Sequence, residues 1–209
     1  MSLPATVRPG REWGRIGLLG GSFNPAHSGH LHLSKIALKR LDLDAVWWLV
    51  SPQNPLKSTT GMNPFDQRMA SAQYAAQHPA IHVTDLERAF GSNYTAVTLR
   101  KLKRRFPRVQ FVWLMGADNM LQLPLWKRWD TIFKTIPVAV IARPAYSWNS
   151  MHSKAAIRFR STRVRDQQAR SLADRKAPAW IYIASRLNHT SATEIRAGRQ
   201  TPFGGTKGY

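Results

Sequence analysis

Arg15-Ile16-Gly17-Leu18-Leu19-Gly20-Gly21-Ser22-Phe23-Asn24-Pro25-Ala26-His27-Ser28-Gly29-His30 is the stretch on which the reading of this chain turns. Its first five residues read as a short buried strand. Beyond it Leu31, Leu33, Ile36, Ala37 and Leu41 recur at helical spacing, so a helix opens beside the histidines. A strand-to-helix junction of this kind presents free backbone N–H groups and the positive end of a helix dipole, which together attract anions. Gly20 and Gly21 lack a Cβ and allow the backbone to come close to a ligand. His27 and His30 can donate N–H bonds to phosphate oxygens from the helix mouth, and Gly29 between them leaves the ligand room. The junction implies a site for a nucleoside triphosphate.

Other uses of these residues are weaker. His27, His30 and the nearby His32 could supply imidazoles to zinc, but the chain has no cysteine and no His-Glu-x-x-His pattern. No protein-held metal is expected, and His32 reads as an ordinary helix side chain. The Gly-x-x-x-x-Gly-Lys-Ser/Thr phosphate loop and the Gly-x-Gly-x-x-Gly dinucleotide fingerprint are both absent.

Outward from the junction, strands and helices alternate. Strands are expected at Ala45–Val50, Ile81–Val83, Val109–Met115, Pro137–Ala142 and Ala179–Ile183. Helices are expected from Asn63-Pro64 to about Gln77, from Asn93 to Arg105, from Trp126 to Thr135 and onward from Ser191, with a short turn after Asp118. This order predicts an α/β fold, an open and mostly parallel Rossmann-like sheet with helices on both faces. In such sheets ligands lie beyond the carboxyl ends of the strands. The rule selects Gly20-Gly21, Ser51-Pro52, Asp85, Gly116-Ala117-Asp118, Arg143-Pro144 and the stretch after Ser185.

At 209 residues the chain fits one domain, expected at 14–200, with flexible segments at 1–13 and 201–209. Eight tryptophans argue against disorder. No apolar run reaches the ~18 residues of a membrane span, and the first fourteen residues show no apolar signal core. The lack of cysteine rules out thiol catalysis and fits a reducing cytoplasm. Lys and Arg number 31 against 11 acidic residues, a formal net charge of +20. That field attracts polyanions. Much of it lies in Arg100–Arg108, which suits a helix C-terminus, and in Lys154–Lys176, which reads as a solvated, amphipathic or partly mobile segment.

The string Gly20 to His30, with His27-Ser28-Gly29-His30 as its His-x-Gly-His element, resembles the signature of the nucleotidylyltransferase superfamily. Later strings are similar to one branch, the bacterial nicotinate-nucleotide adenylyltransferases. They are Ser51–Lys57, Asn93–Leu99, Gly116–Met120 with Leu125–Trp129, Arg143–Tyr146 and Thr190–Arg196, in the family's order and covering residues 15 to 200. Asn24 stands where many members carry Asp, Ala192 replaces a serine, and Ala145 replaces a glycine. None of these removes a group that the chemistry needs.

The resemblance implies adenylyl transfer from ATP to nicotinate mononucleotide, giving deamido-NAD and pyrophosphate, with Mg²⁺ accompanying ATP. It implies His27, His30, Lys57 and Arg196 as the catalytic set. ATP would be held by Gly20, Gly21, Ser22, Phe23, His27, Gly29, His30, Gly116, Asp118, Ser191, Thr193 and Arg196. Nicotinate mononucleotide would be held by Ser22, Phe23, Lys57, Tyr94, Thr95, Trp126 and Arg143, with Trp126 stacking on the pyridine and Trp129 in the core. Thr190-Ser191-Ala192-Thr193-Glu194 also reads as a helix capping box with Ser191 as N-cap. Competing readings are an adenylyltransferase for nicotinamide mononucleotide or phosphopantetheine and, in a different class, a basic nucleic-acid-binding module. The ordered phosphate motifs argue against the last, so no specific nucleic acid and no membrane are expected as partners. The oligomeric state, a homodimer included, is left open by the sequence.

Overall fold

The computed structural model describes residues 14–53, 61–143, 146–185, 190, 192–198 and 201–203. Lys57, Ser191 and the segments 1–13 and 204–209 lie outside them. The described elements run β1 (Gly14–Gly21), α1 (Ser28–Arg40), β2 (Ala45–Val50), α2 (Phe65–Ala75), β3 (Ile81–Thr84), α3 (Leu86–Ala89), α4 (Thr95–Arg105) and β4 (Val109–Gly116). Then follow α5 (Ala117–Gln122), α6 (Trp129–Thr135), β5 (Val138–Ile141), α7 (Ser147–Met151), α8 (Lys154–Arg158), β6 (Trp180–Ile183) and α9 (Ala192–Arg196).

The six strands form one sheet in the order β3-β2-β1-β4-β5-β6. All five pairings are parallel, so the expected mostly parallel sheet is fully parallel among the described residues. Parallel sheets need cover on both faces, and β2 shows how the sequence supplies it. Val46, Trp48 and Val50 enter one core with Leu33 and Ala37 of α1 and Ala72 and Ala75 of α2. Ala45, Trp47 and Leu49 enter the other, with Leu99 and Leu102 of α4, Met120 of α5 and Phe133 of α6. Every residue of β2 is buried. Among the described residues no helix is long and apolar enough to cross a membrane.

Two expectations are corrected and one is narrowed. The helix expected from Trp126 to Thr135 is broken, because Arg128 adopts the left-handed region (φ 56°, ψ 38°), and only Trp129–Thr135 is α-helical. The Asn93 helix begins at Thr95. Of the readings offered for the basic segment Lys154–Lys176, the amphipathic one holds: Arg158, Arg160, Arg163, Arg165 and Arg170 are exposed while its apolar residues pack inward. It forms α8 and 3-10 turns at Arg160–Thr162 and Asp166–Asp174. Its Ala155, Ala156, Phe159, Val164, Ala169, Leu172 and Ala173 are buried, and Phe133 stacks on Phe159 with ring centroids 4.4 Å apart. Residues 201–203, expected to begin a loose tail, make contacts described below. The short helices α3 and α7 carry no periodic signal long enough to read in advance.

Candidate active site

The strand order reverses between β1 and β4, which are adjacent in the sheet yet far apart in the chain. α1 leaves β1 toward one face and α5 leaves β4 toward the other. Their divergence opens a crevice beyond the carboxyl ends of the two strands, the place where such sheets bind ligands.

His27 is the N-cap of α1, and its Nδ1 accepts the Gly29 N–H at 3.1 Å. Three residues on, His30 reaches back, and its Nδ1 accepts the His27 N–H at 3.2 Å. Both rings therefore act as capping-box acceptors, a job usually given to Ser, Thr or Glu. Since Nδ1 is an acceptor in each, the neutral imidazoles carry their proton on Nε2. His27 is 2% exposed, and burial, with the positive charge of Arg143 as a smaller cause, pushes its pKa down to about 3. It is neutral at every physiological pH.

An aromatic ladder sets the height of His30. Trp48 of β2 stacks on Phe23 at 5.0 Å, Phe23 meets His30 at 4.8 Å, and His30 meets His27 at 4.0 Å. The Trp48 indole N–H donates to Ser34 Oγ, which donates in turn to the His30 carbonyl. Phe23 is 1% exposed and holds a left-handed φ of 46°. Its ring belongs to the core beneath the site, so what it can offer a ligand is backbone. Gly20 likewise serves packing, because a Cβ there would stand 2.5 Å from the Trp113 ring.

The far wall comes from the C-terminal segment. Ser28 Oγ donates to Thr190 Oγ1 at 3.0 Å, and the Ser28 N–H donates to the Pro202 carbonyl at 2.8 Å. Phe203 packs edge-on to Tyr74 at 5.4 Å. Arg196 Nη1 donates to the Asn24 carbonyl at 2.6 Å, and its Nη2 lies 3.5 Å from Thr193 Oγ1. At Gly29 a Cβ would meet the His27 ring at 2.9 Å and the Thr190 carbonyl at 3.1 Å, so the helix and this wall close over a bare backbone. Asp118 of α5 pairs with Arg143 across 3.7 Å, and Arg143 follows β5.

On the α5 side, Trp126 is half-buried and edge-on to Trp113 at 6.5 Å. Beside it a cleft of about 230 Å³ is lined by Tyr94, Ala96, Val97, Lys127 and Arg128. Lys127 Nζ sits 4.7 Å from the centre of the Tyr94 ring. α4 starts at Thr95 with no side-chain cap, which leaves the Thr95 and Ala96 N–H groups without an intrahelical partner.

A cytidylyltransferase-like family model matches residues 18–198. A probable nicotinate-nucleotide adenylyltransferase of Parvibaculum lavamentivorans is 50% identical over 182 residues, covering 87% of this chain and 90% of that one. Another from Caulobacter sp. is 49% identical over 187 residues, 90% of this chain and 98% of that one. This chain belongs to the nicotinate-nucleotide adenylyltransferase family. The fold is also that of a solved Plasmodium falciparum nicotinic acid mononucleotide adenylyltransferase complexed with NaAD. Its TM-score is 0.64 at 18% identity, over 90% of this chain and 84% of that chain.

In this member of the family, the expected residues His27, Gly29, His30, Gly116, Asp118, Arg143, Thr193 and Arg196 sit on elements that converge on the crevice, while Tyr94 lines the cleft beside α4, with Thr95 and Trp126 next in the chain to residues that line it. Gly21 and Ser22 close β1 at its mouth. Three cations were not singled out as site residues from sequence. Lys127 and Arg128 line the cleft at the point where Arg128, in the left-handed region, precedes α6. Arg68, near the start of α2, is 2% exposed and shares the buried i, i+4, i+7 stripe with Ala72 and Ala75, a spacing signal that its charge masked.

Proposed function

We propose that this chain transfers the adenylyl group of ATP to nicotinate mononucleotide, forming deamido-NAD and pyrophosphate. A phosphate oxygen of the mononucleotide attacks the α-phosphorus, an α-phosphoanhydride bond forms, and the α,β-bridging bond breaks as pyrophosphate leaves. The attacking phosphate is already ionised at neutral pH, so no general base is needed, and catalysis rests on alignment and charge neutralisation. The observation that carries this reading is the histidine cap of α1, whose two rings are fixed with Nε2–H as donor at a helix N-terminus.

His27 would hold an ATP phosphate, and His30 would meet charge developing at the α-phosphate. Thr193, Ser191 and the start of α9 would take the β- and γ-phosphates. Arg196 spends one N–H on the Asn24 carbonyl and has others for phosphate. Lys57 would reach across to either phosphate. On the acceptor side, Trp126 would stack on the pyridine, and Thr95 with the uncapped N–H groups of α4 would hold the carboxylate. Arg143 and the Lys127–Arg128 pair add positive charge there.

Magnesium enters as part of MgATP. Phosphate oxygens and water would carry the ion. The cysteine-free composition supports a cytoplasmic setting.

Incubating the purified chain with MgATP and nicotinate mononucleotide, and resolving the products by chromatography, tests the reading. Deamido-NAD and pyrophosphate should form in equal amounts, and neither should form without the mononucleotide. Release of pyrophosphate with no dinucleotide product would contradict it.

A further inference from the structure

The guanidinium of Arg68 is buried in α2 and meets four backbone carbonyls. Nη1 donates to Ser22 at 2.7 Å and to Ser51 at 2.7 Å, Nη2 donates to Pro52 at 2.8 Å, and Nε donates to Asn63 at 3.0 Å. Four of its five N–H donors are thus used on two separate loops, the one after β1 and the one between β2 and α2. No carboxylate is among these partners, so the buried charge is met by carbonyl dipoles. A buried charge without a counter-ion is costly, and an apolar residue would fill the space without that cost. Asn24 adds a second stitch between the same loops. Its Nδ2 donates to the Gly61 carbonyl at 3.0 Å, and its Oδ1 accepts the Asn63 N–H at 3.2 Å.

We propose that Arg68 is a positioning residue that ties the β1–α1 loop at Ser22 to residues 51–52 after β2 and to Asn63 before α2, holding the histidine-capped end of α1 in register with the end of β2 beside the crevice. The inference rests on the function proposed above for its kinetic consequence, but not for its structural one. Lysine has three donors on one atom and no planar fork, so it cannot bridge four carbonyls facing different ways.

The test compares wild type with Arg68→Lys and, as a stability control, Ala72→Gly, a buried α2 position in the core. Hydrogen exchange is read in peptides covering 22–27, 50–53 and 61–64 and in β4. In Arg68→Lys, exchange in the three loop peptides should rise at least tenfold while β4 stays protected. Its kcat should fall tenfold or more, with Ala72→Gly keeping kcat within twofold at a comparable loss of Tm. Unchanged loop exchange, an equal rise in β4, or a kcat within twofold would overturn the proposal. If Arg68→Lys does not fold, Asn24→Ala is read by the same exchange criteria. The exchange arm needs no substrate, so it stands even if the acceptor is not nicotinate mononucleotide.

Discussion

His30 carries the account at the scale of one residue. Its Nδ1 is occupied by the His27 N–H, so the ring cannot rotate to present another atom without uncapping α1. His30→Ala should lower kcat about a hundredfold, the scale of losing one oriented oxyanion donor, as steady-state pyrophosphate release would show. A near wild-type kcat would remove His30 from that role. His27 and Glu87 make opposite pH predictions. His27 refuses a proton in the fold down to about pH 3, whereas the unfolded chain accepts one below 6.5. Stability is therefore lost as pH falls from 6.5 toward 3, by a few kcal/mol at most. Urea unfolding of His27→Asn should show a shallower acid slope than wild type. Glu87 is 4% exposed, and burial raises its carboxyl to about 7 against the hydroxyls of Ser51 and Thr98, which pull it down. The fold keeps that proton between pH 4.5 and 7 while the unfolded chain does not, so stability present below 4.5 is lost as pH rises through 7. Glu87→Gln should remove this loss and raise stability at pH 8 by about 1–3 kcal/mol. An equal or lower urea midpoint at pH 8 would contradict the assignment. The histidine pair was legible from spacing alone. Its tautomers were not, because they depend on which backbone N–H each ring caps.

At the scale of the element, α1 and the Thr190 backbone close over Gly29. A methyl at that position must push either the His27 ring or the Thr190 carbonyl. Gly29→Ala should therefore cost tenfold or more in kcat, with a smaller loss of Tm, since the remainder of α1 is untouched. A kcat within twofold would show that the closure has slack. Strands and their order along the chain were readable because parallel β-strands are apolar on both faces, as in Ala45–Val50. The break at Arg128 was not, since a left-handed arginine has no sequence signature of its own. The amphipathic reading of 154–176 was legible for a physical reason: Ala169, Leu172 and Ala173 recur at i, i+3 and i+4 and are buried, while Arg170 between them is exposed.

Across the whole molecule, arginines of the two basic clusters lie away from the crevice. Arg104 and Arg105 end α4, which leads into the amino end of β4. Arg163 pairs with Trp180 at the amino end of β6. Both places are opposite the carboxyl ends of the strands, where the site lies. Beyond ~8–10 Å, physiological salt screens exposed charges. Replacing Arg104, Arg105, Arg160 and Arg163 together by Gln should leave kcat unchanged and raise KM only at low ionic strength. Loss of kcat at physiological salt would mean that the site has been misplaced. On the function proposed above, the acceptor would lie at Thr95 and Trp126, where N–H and hydroxyl donors meet a carboxylate better than an amide. The most direct measurement is kcat/KM for pyrophosphate release from MgATP with nicotinate mononucleotide, nicotinamide mononucleotide and phosphopantetheine in turn. Nicotinate mononucleotide should exceed the other two by roughly tenfold or more, the scale of leaving polar groups mispaired; an equal or higher value for either of the others would contradict the account.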